Sequence, residues 1–304
     1  MLEELLKEQI RHDPEIAGML AVYASSPAVF YQKSPEDTER GWQDGCFPRI
    51  DYLTSMRYDP ERKVSGILEV NIWCQSENSY MPEDIERRIV ELIGGTFYRI
   101  HNSHTCAIWS RSDAFEFDRG NIRQREYPDV FGMSVIFDLL EFPEQTTSDP
   151  DPIQGLNNWT KANYPEAIVV NCEDTAQVWR PKADIPAIYW RVEGYSSTDR
   201  QSYSATWYSG QFAAHVMTGE ITERNRWLRA IVERIQLSGE IILADGSPMF
   251  IRQITARAGA DPLREGQIVL SAQYAVNEQL RKERAQYPLN TAVYPHGRTE
   301  VKNG

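Results

Sequence analysis

The sequence predicts an α+β protein of two similar domains, each a mostly antiparallel sheet with an amphipathic helix packed on one face. Three observations predict this class. The same order of elements occurs on both sides of a proline-rich break. In each half the apolar spacing changes from every second residue to every 3.6 residues, and then back. The 304 residues, 41% of them hydrophobic, are enough for two cores.

The break lies between Phe142 and Ile153, where three prolines stand among polar residues without apolar periodicity. We therefore predict a domain at residues 1–145, a linker at 146–152 and a second domain at 153–276. Residues 277–304 are polar and include Arg281, Lys282 and Arg284, which predicts a C-terminal arm.

Each half begins with a helical or turn segment that reaches a Pro-Glu pair, at Pro14 and at Pro165. A short aromatic strand is predicted next, and then a strand led by a proline, which at that position removes no interior ladder bond. A longer strand with apolar residues on one face follows. These predicted strands are 28–31, 48–52 and 68–74 in the first half, and 177–180, 186–190 and 208–216 in the second.

An amphipathic helix is predicted next in each half. Its apolar residues recur at helical spacing, namely Ile85, Ile89, Leu92 and Ile93 in one half and Leu228, Ile231, Val232 and Ile235 in the other. Pro82 and Thr222 mark the helix starts, and Gly94 and Gly239 mark the stops. A hairpin with turns at 101–104 and at Asp245-Gly246, and a last strand at 133–139 and at 268–276, complete each unit.

The charge is concentrated in the first half. Residues 1–148 hold 15 basic and 26 acidic side chains, net −11, whereas residues 149–304 hold 17 and 18, net −1. Such a surface repels phosphate backbones and argues against tight binding of DNA or RNA. It would suit a surface past which DNA slides. An acidic face that only aids solubility is the plainer interpretation.

The sequence predicts synthesis in the cytoplasm and no contact with membranes. Glu3, Glu4 and Glu8 precede the short apolar window at 16–24, where a secretory signal would carry positive charge. No stretch reaches the ~18 consecutive apolar residues of a membrane span. The four cysteines are scattered without a CxxC pair, which favours unpaired and mostly buried thiols in a reducing compartment.

Two clusters of side chains could form a metal site or a catalytic site. His101, His104 and Cys106 form H-x-x-H-x-C on the first hairpin turn, but a fourth metal ligand is missing and the second half has none at this turn. We therefore favour a structural role for these residues in the hairpin turn over a role as zinc ligands. The carboxylates Asp113, Glu116 and Asp118 could act as acid and base of a glycosidase, but their spacing is also typical of an exposed loop.

The usual signatures of nucleophiles and phosphate-binding loops are absent, and the five histidines are dispersed. We therefore predict no catalytic, cofactor-binding or metal-binding residues and no enzymatic activity. The 8 Trp and 15 Tyr residues modestly favour a binding or assembly role.

The first half resembles the tail terminator, or tail completion, proteins of long-tailed bacteriophages. The resemblance rests on Phe47-Pro48-Arg49-Ile50-Asp51-Tyr52, on the strand at 66–73 and on the helix at 81–93. It covers about residues 1–143 and is one of pattern. The second half resembles the same family more weakly through 186–190, 208–216, 227–235 and 266–276, so that the chain is read as a tandem duplicate.

This resemblance implies a structural virion protein, made in the host cytoplasm, whose ring caps the tail tube, stops its polymerisation and offers a docking surface to the neck and head. The implied partners are other copies of the chain, the tube protein and the neck or connector proteins, and DNA passes through the lumen without sequence-specific binding. Three chains could form a pseudo-sixfold ring, or six chains could carry the second domain as an outer or stacked layer. The charge asymmetry favours the second arrangement.

Two other functions stay open. An aromatic-rich sheet could recognise carbohydrate or a receptor on a virion or cell surface, and binding to a glycan array would distinguish this module from a terminator. A hydrolase using the carboxylates from Asp113 to Asp118 would lose activity on Asp113→Asn or Glu116→Gln.

Overall fold

A computed structural model describes residues 1–56, 65–101, 103–117, 130–145, 147–172, 175–201 and 205–277. The chain folds as two α+β domains with mostly antiparallel sheets, as the sequence predicts. The helices and strands of domain 1 are α1 Leu2–His12, α2 Pro14–Met19, β1 Val22–Tyr23, β2 Ser26–Pro27, β3 Val29–Tyr31, β4 Trp42–Gln43, β5 Arg49–Met56, β6 Gly66–Gln75, α3 Pro82–Ile93, β7 Thr96–Ile100, β8 Ser103–Phe117 and β9 Val130–Pro143.

Domain 2 begins at α4, nine residues after the end of β9. The predicted linker 146–152 thus lies between these two elements, except that Pro152 opens the helix. The elements that follow are α4 Pro152–Asn163, β10 Ile168–Val169, β11 Val178–Trp179, β12 Ala187–Gln201, β13 Ala205–Met217, α5 Ile221–Ser238, β14 Glu240–Ile242, β15 Pro248–Ala256 and β16 Ile268–Asn277. Apart from Asn277, the predicted arm 277–304 lies outside the described residues.

The two main sheets repeat one topology. Their strand orders are β3-β5-β6-β9-β8-β7 and β10-β12-β13-β16-β15-β14. In both, the first two strands of this order are parallel and all other neighbours are antiparallel. The order helix, three strands, helix, hairpin and strand is therefore confirmed in both halves.

Each sheet buries one face against helices. In domain 1 the alternating residues Leu68, Val70, Ile72 and Cys74 of β6 pack with Ile85, Ile89 and Ile93 of α3. In domain 2, Phe212, Ala214 and Val216 of β13 pack with Leu228, Ile231 and Ile235 of α5. The period of two on the strands and of 3.6 on the helices brings these apolar faces together.

Local signals set the helix boundaries. Asp13 accepts a hydrogen bond from the Ile16 backbone N–H at 3.0 Å, so it caps α2, and Pro14 occupies the first helical position. Asp151 and Pro152 do the same for α4. The α5 helix ends at Gly239, whose φ of 68° lies in the left-handed region that glycine adopts without strain.

One equivalence between the halves was wrong. The aromatic strand predicted at 177–180 exists as β11, but it pairs with β7 of domain 1 and becomes a seventh strand of that sheet. The true counterpart of β3 is β10, because both run parallel to the proline-led strand of their own domain. A two-residue strand carries no information about which sheet edge it will join.

Candidate assembly interface

A helix packed on one face of each sheet leaves the opposite face free, and part of that opposite face is covered by the other domain in both halves. Domain 1 contributes Phe97 of β7, Cys106 of β8 and Leu140 and Phe142 of β9 to a third apolar cluster. Domain 2 contributes Val170, Ala187, Tyr189 and Met217. The side chains of β8 and β9 on this face are paired across the ladder, since Cys106 lies opposite Leu140 and His104 opposite Phe142.

Aromatic rings dominate this interface. Phe97 stacks on Trp179 with ring centroids 4.6 Å apart. Phe142 makes edge contacts with Tyr189 at 5.3 Å and with His215 at 5.8 Å. Buried aromatic pairs contribute contact area and roughly 0.5–1.5 kcal/mol each beyond it, so the two domains are held by packing of the kind found in a core.

Backbone pairing reinforces the contact. Val178 lies opposite Tyr98 and Trp179 opposite Phe97 in an antiparallel ladder. The Arg99 backbone N–H donates to the Gln177 carbonyl at 2.8 Å. A segment of domain 2 thus covers the edge strand β7, and edge groups that are paired cannot recruit a foreign strand.

His104 belongs to this interface and not to a metal site. Its Nδ1 donates to Asn171 Oδ1 at 2.7 Å, because an amide oxygen only accepts, and its Nε2 lies 3.0 Å from Thr175 Oγ1. Asn171 in turn donates from Nδ2 to the Phe142 carbonyl at 2.9 Å. Burial lowers the pKa of His104, so the ring is neutral at pH 7 and its Nε2 accepts from the Thr175 hydroxyl.

His215 is the second buried histidine of the interface. Its Nδ1 donates to the Pro262 carbonyl at 2.9 Å, while Nε2 has no hydrogen-bond partner among the described residues. Burial, together with the charge of Arg191, lowers the pKa of His215 to about 4. Protonation of His215 would place a positive charge on a buried ring that is surrounded by aromatic side chains and has one hydrogen-bond acceptor, the Pro262 carbonyl.

Polar contacts complete the rim of the interface. The Tyr189 hydroxyl donates to the Pro143 carbonyl at 2.8 Å, and Arg180 Nε donates to Thr96 Oγ1 at 2.6 Å. Arg264 of domain 2 pairs with Asp138 of domain 1 at 2.5 Å. An apolar centre with a hydrogen-bonded rim is the usual anatomy of a specific protein interface.

The rest of the outer face of domain 1 is partly polar. On β5 and β6 it presents Arg49, Asp51, Glu69, Asn71 and Trp73. Arg49 pairs with Asp37 at 2.6 Å and lies 4.4 Å from the Phe47 ring centroid. Asp51 accepts a short hydrogen bond from the Ser34 hydroxyl, and burial raises the pKa of its carboxyl.

The rest of the outer face of domain 2 mixes apolar and polar side chains, since Phe250 lies opposite Gln273 on one side and opposite the exposed Glu240 on the other. Trp207 of β13 stacks on Phe250 of β15 with centroids 6.2 Å apart. Ile242, in the terminal strand β14, is 54% exposed. Arg252 is exposed on the same face and donates to Gln273 Oε1 at 2.6 Å.

The candidate chemical clusters do not assemble. His101 is exposed at the hairpin turn, whereas His104 and Cys106 are buried on one face of β8. The described residues contain no group of three or more side chains suited to hold a metal ion. Asp113 is exposed and pairs with Arg111 at 2.8 Å.

The loop expected around these carboxylates was wrong, because β8 extends to Phe117 and includes Asp113 and Glu116. Alternation of charged residues with Phe115 and Phe117 is a strand pattern, which the high charge obscured. Asp118 and the side chain of Glu116 lie outside the described residues.

Sequence reasoning missed the residues that join the domains. Asn171, Thr175 and Tyr189 carry no motif, and their role depends on a contact between parts of the chain about 30–70 residues apart. One signal was present, since His104 and Cys106 stand two apart and therefore share a strand face. All four cysteines are outside disulfides, and Cys106 is buried in the interface.

No protein-family model and no curated protein matches this chain. In the described part of the chain, every helix is too short or too polar to span a bilayer.

Proposed function

We propose that the chain is a structural virion protein of a long-tailed bacteriophage. In this proposal it forms a ring that caps the tail tube, stops its polymerisation and provides the docking surface for the neck and head. The observation that carries the proposal is the head-to-tail packing of two domains of identical topology within one chain. Like units that contact each other through different surfaces build rings or filaments.

The charge distribution supports the same role. Residues 1–148 carry net −11, from 15 basic and 26 acidic side chains. An acidic surface around a channel repels the DNA backbone, so that DNA can pass without being held. The nearly neutral second half is better suited to contacts with other proteins.

Binding of carbohydrate by an aromatic platform has less support. The exposed aromatic side chains Tyr31, Tyr80, Trp109 and Tyr195 lie on four different segments of the chain. A sugar-binding platform needs rings side by side on one surface. The paired rings of the outer faces, such as Trp207 and Phe250, are instead partly buried.

Disruption of the gene in its phage tests the proposed function. We expect DNA-filled heads and separate tails of abnormal length in electron micrographs of the lysate, and joined particles when the wild-type gene is supplied in trans. A complementing gene with Leu237→Asp, a change at an exposed position of α5, should also restore joining. Normal joined virions in the disrupted strain would refute the proposal.

A further inference from the structure

The contact between the two domains uses non-equivalent surfaces of equivalent units. Domain 1 contributes the strands β7, β8 and β9, whereas domain 2 contributes β12, β13 and residues that follow β10. In the shared topology, the counterparts of β7, β8 and β9 are β14, β15 and β16, and those of β10, β12 and β13 are β3, β5 and β6. Each chain therefore retains one unused copy of each half of the contact.

The pairing registers identify the counterparts residue by residue. Ile50 lies opposite Ile72 in domain 1 as Ile188 lies opposite Val216 in domain 2. Asn71 is accordingly the counterpart of His215, and Asp51 that of Tyr189. By the same procedure along β9 and β16, Ala275 corresponds to Phe142, and Phe250 to Cys106.

The unused half on domain 2 has the properties of an interface. It carries the exposed Ile242 of β14 and Phe250 of β15, whose ring stacks on Trp207 of β13, beside the exposed Glu240. β14 is the terminal strand of its sheet in the described part of the chain, whereas its counterpart β7 is covered by β11. An uncovered edge beside an apolar surface favours association.

The charges favour a contact between unlike domains of two chains. Contact of domain 1 with domain 1 would bring together two halves of net −11, whereas the other half carries −1. The unused face of domain 1 holds Asp51 and Glu69 near Arg49, whereas that of domain 2 holds one exposed charge of each sign, Arg252 and Glu240. A head-to-tail contact thus avoids the repulsion of a symmetric one.

We propose that the unused face of domain 2, marked by Ile242, Phe250 and Trp207, binds the unused face of domain 1 of a second copy of this chain, marked by Asp51, Asn71 and Trp73. The contact continues the intrachain arrangement, so that domains 1 and 2 alternate along the assembly. This alternation corresponds to the pseudo-sixfold type of ring, and it differs from the outer or stacked layer of second domains that the charge asymmetry alone favoured. The inference concerns self-association and does not depend on the tail-capping function.

Two variants of the full chain test the contact. Ile242→Asp places a carboxylate on the domain 2 face, and Asn71→Arg places a large cation on the domain 1 face. We expect wild-type protein to sediment as a multimer and each variant to sediment as a monomer. Leu237→Asp is the matched control, because Leu237 is 84% exposed on α5, and it should leave the multimer intact.

Mixing the two variants is the decisive step. Each retains the face that the other has lost, so a head-to-tail contact yields a one-to-one dimer and nothing larger, measured by native mass spectrometry. A symmetric contact yields no such dimer. If Asn71→Arg fails to fold, as judged by circular dichroism, Leu53→Arg on the same face of β5 replaces it, since Leu53 is 43% exposed.

The outcomes separate this inference from the proposed function. A wild-type ring that persists in both single variants overturns the assigned surfaces but leaves a tail cap possible. Wild-type protein that is monomeric at every concentration overturns the inference. A head-to-tail multimer together with normal virions after gene disruption supports the inference and refutes the tail cap.

Discussion

Single residues decide how the two domains respond to acid. Two histidines, His104 and His215, are buried in the same interface, and both are neutral there because burial lowers their pKa values. In the unfolded chain each would titrate near 6.5. The native state therefore binds fewer protons than the unfolded state over the mildly acidic range.

We expect the stability of the protein to fall as the pH drops from 6.5 to about 4, the folded-state pKa of His215. Above 6.5 the full stabilisation is present, because the ring is neutral in both states. The shift corresponds to about 3 kcal/mol for His215 below pH 4. Denaturant titrations of wild type and His215→Gln from pH 7.5 to 4 measure this loss of stability. Equal pH dependence of the two proteins would contradict this prediction.

The ion pair between Asp13 and Arg88 affects stability at a lower pH than the two histidines do. Arg88 hydrogen-bonds to Asp13 at 2.6 Å and so lowers the pKa of its carboxyl, which also caps α2. Asp13→Asn keeps an oxygen for the cap but removes the ion pair, and we expect a loss of about 1–2 kcal/mol in denaturant unfolding at pH 7.

Glu15→Gln is the control for Asp13, because Glu15 lies 3.4 Å from Arg88 and is about half exposed, and we expect a loss under ~0.5 kcal/mol. The difference between Asp13→Asn and wild type should shrink as the pH falls below about 3.9, the ordinary pKa of an aspartate, because the unfolded chain is protonated first and the native carboxyl follows at its lowered pKa. A difference that persists unchanged at low pH would contradict this account.

At the scale of elements, the centre of the first sheet depends on close approach at Gly132. A Cβ at this position would lie 1.9 Å from the Ile72 carbonyl oxygen and 2.6 Å from the Phe115 ring. The β6 and β9 strands are paired there along ten residues, so neither can move without disturbing the ladder.

We expect Gly132→Ala to cost roughly 2–4 kcal/mol, because the overlap involves backbone and cannot be relieved by a side-chain rotation. Gly194→Ala is the matched control, since a Cβ at Gly194 in β12 meets nothing within 4 Å. Its expected effect is under ~0.5 kcal/mol. Guanidinium unfolding midpoints of both variants provide the comparison, and similar midpoints would disprove the account.

Elements with strong periodicity could be predicted from the sequence. The apolar alternation of Leu68, Val70, Ile72 and Cys74 identified β6, and Thr222 and Gly239 located α5 to within one residue at each end. Such patterns are local, because one buried face fixes them. The partner of β11 and the full length of β8 were not local properties, since both depend on which sheet edge another segment meets.

The distinction between local patterns and long-range contacts also explains why the chemical role considered for His104 and Cys106 differs from their role in the structure. His104 and Cys106 attracted attention as possible ligands, and the structure uses them in the contact between domains. The type of a residue indicates which chemistry it could perform, whereas its surroundings depend on contacts with distant parts of the chain. The interface could be predicted only as an unused sheet face in each domain, and its occupant is the other half of the same chain.

At the scale of the whole molecule, the interface makes the two domains thermodynamically dependent on each other. Apolar side chains of both halves share one cluster, and β11 of domain 2 completes the sheet of domain 1. Unfolding of either domain would expose this cluster and leave the edge of β7 unpaired. Such coupling converts two separate transitions into one.

We therefore expect a single calorimetric transition for the wild-type chain and two resolved transitions for Phe142→Ala. Phe142 is 2% exposed and contacts Phe97, Tyr189 and His215, so its removal costs about 3–5 kcal/mol at the shared interface. Trp207→Ala removes a ring from an outer face that does not join the domains of one chain, and it should retain the single transition. Two transitions in the wild-type chain would show that the domains unfold independently, and a single transition in Phe142→Ala would show that their coupling does not depend on the Phe142 contacts, because coupling is the property that the two variants are designed to separate.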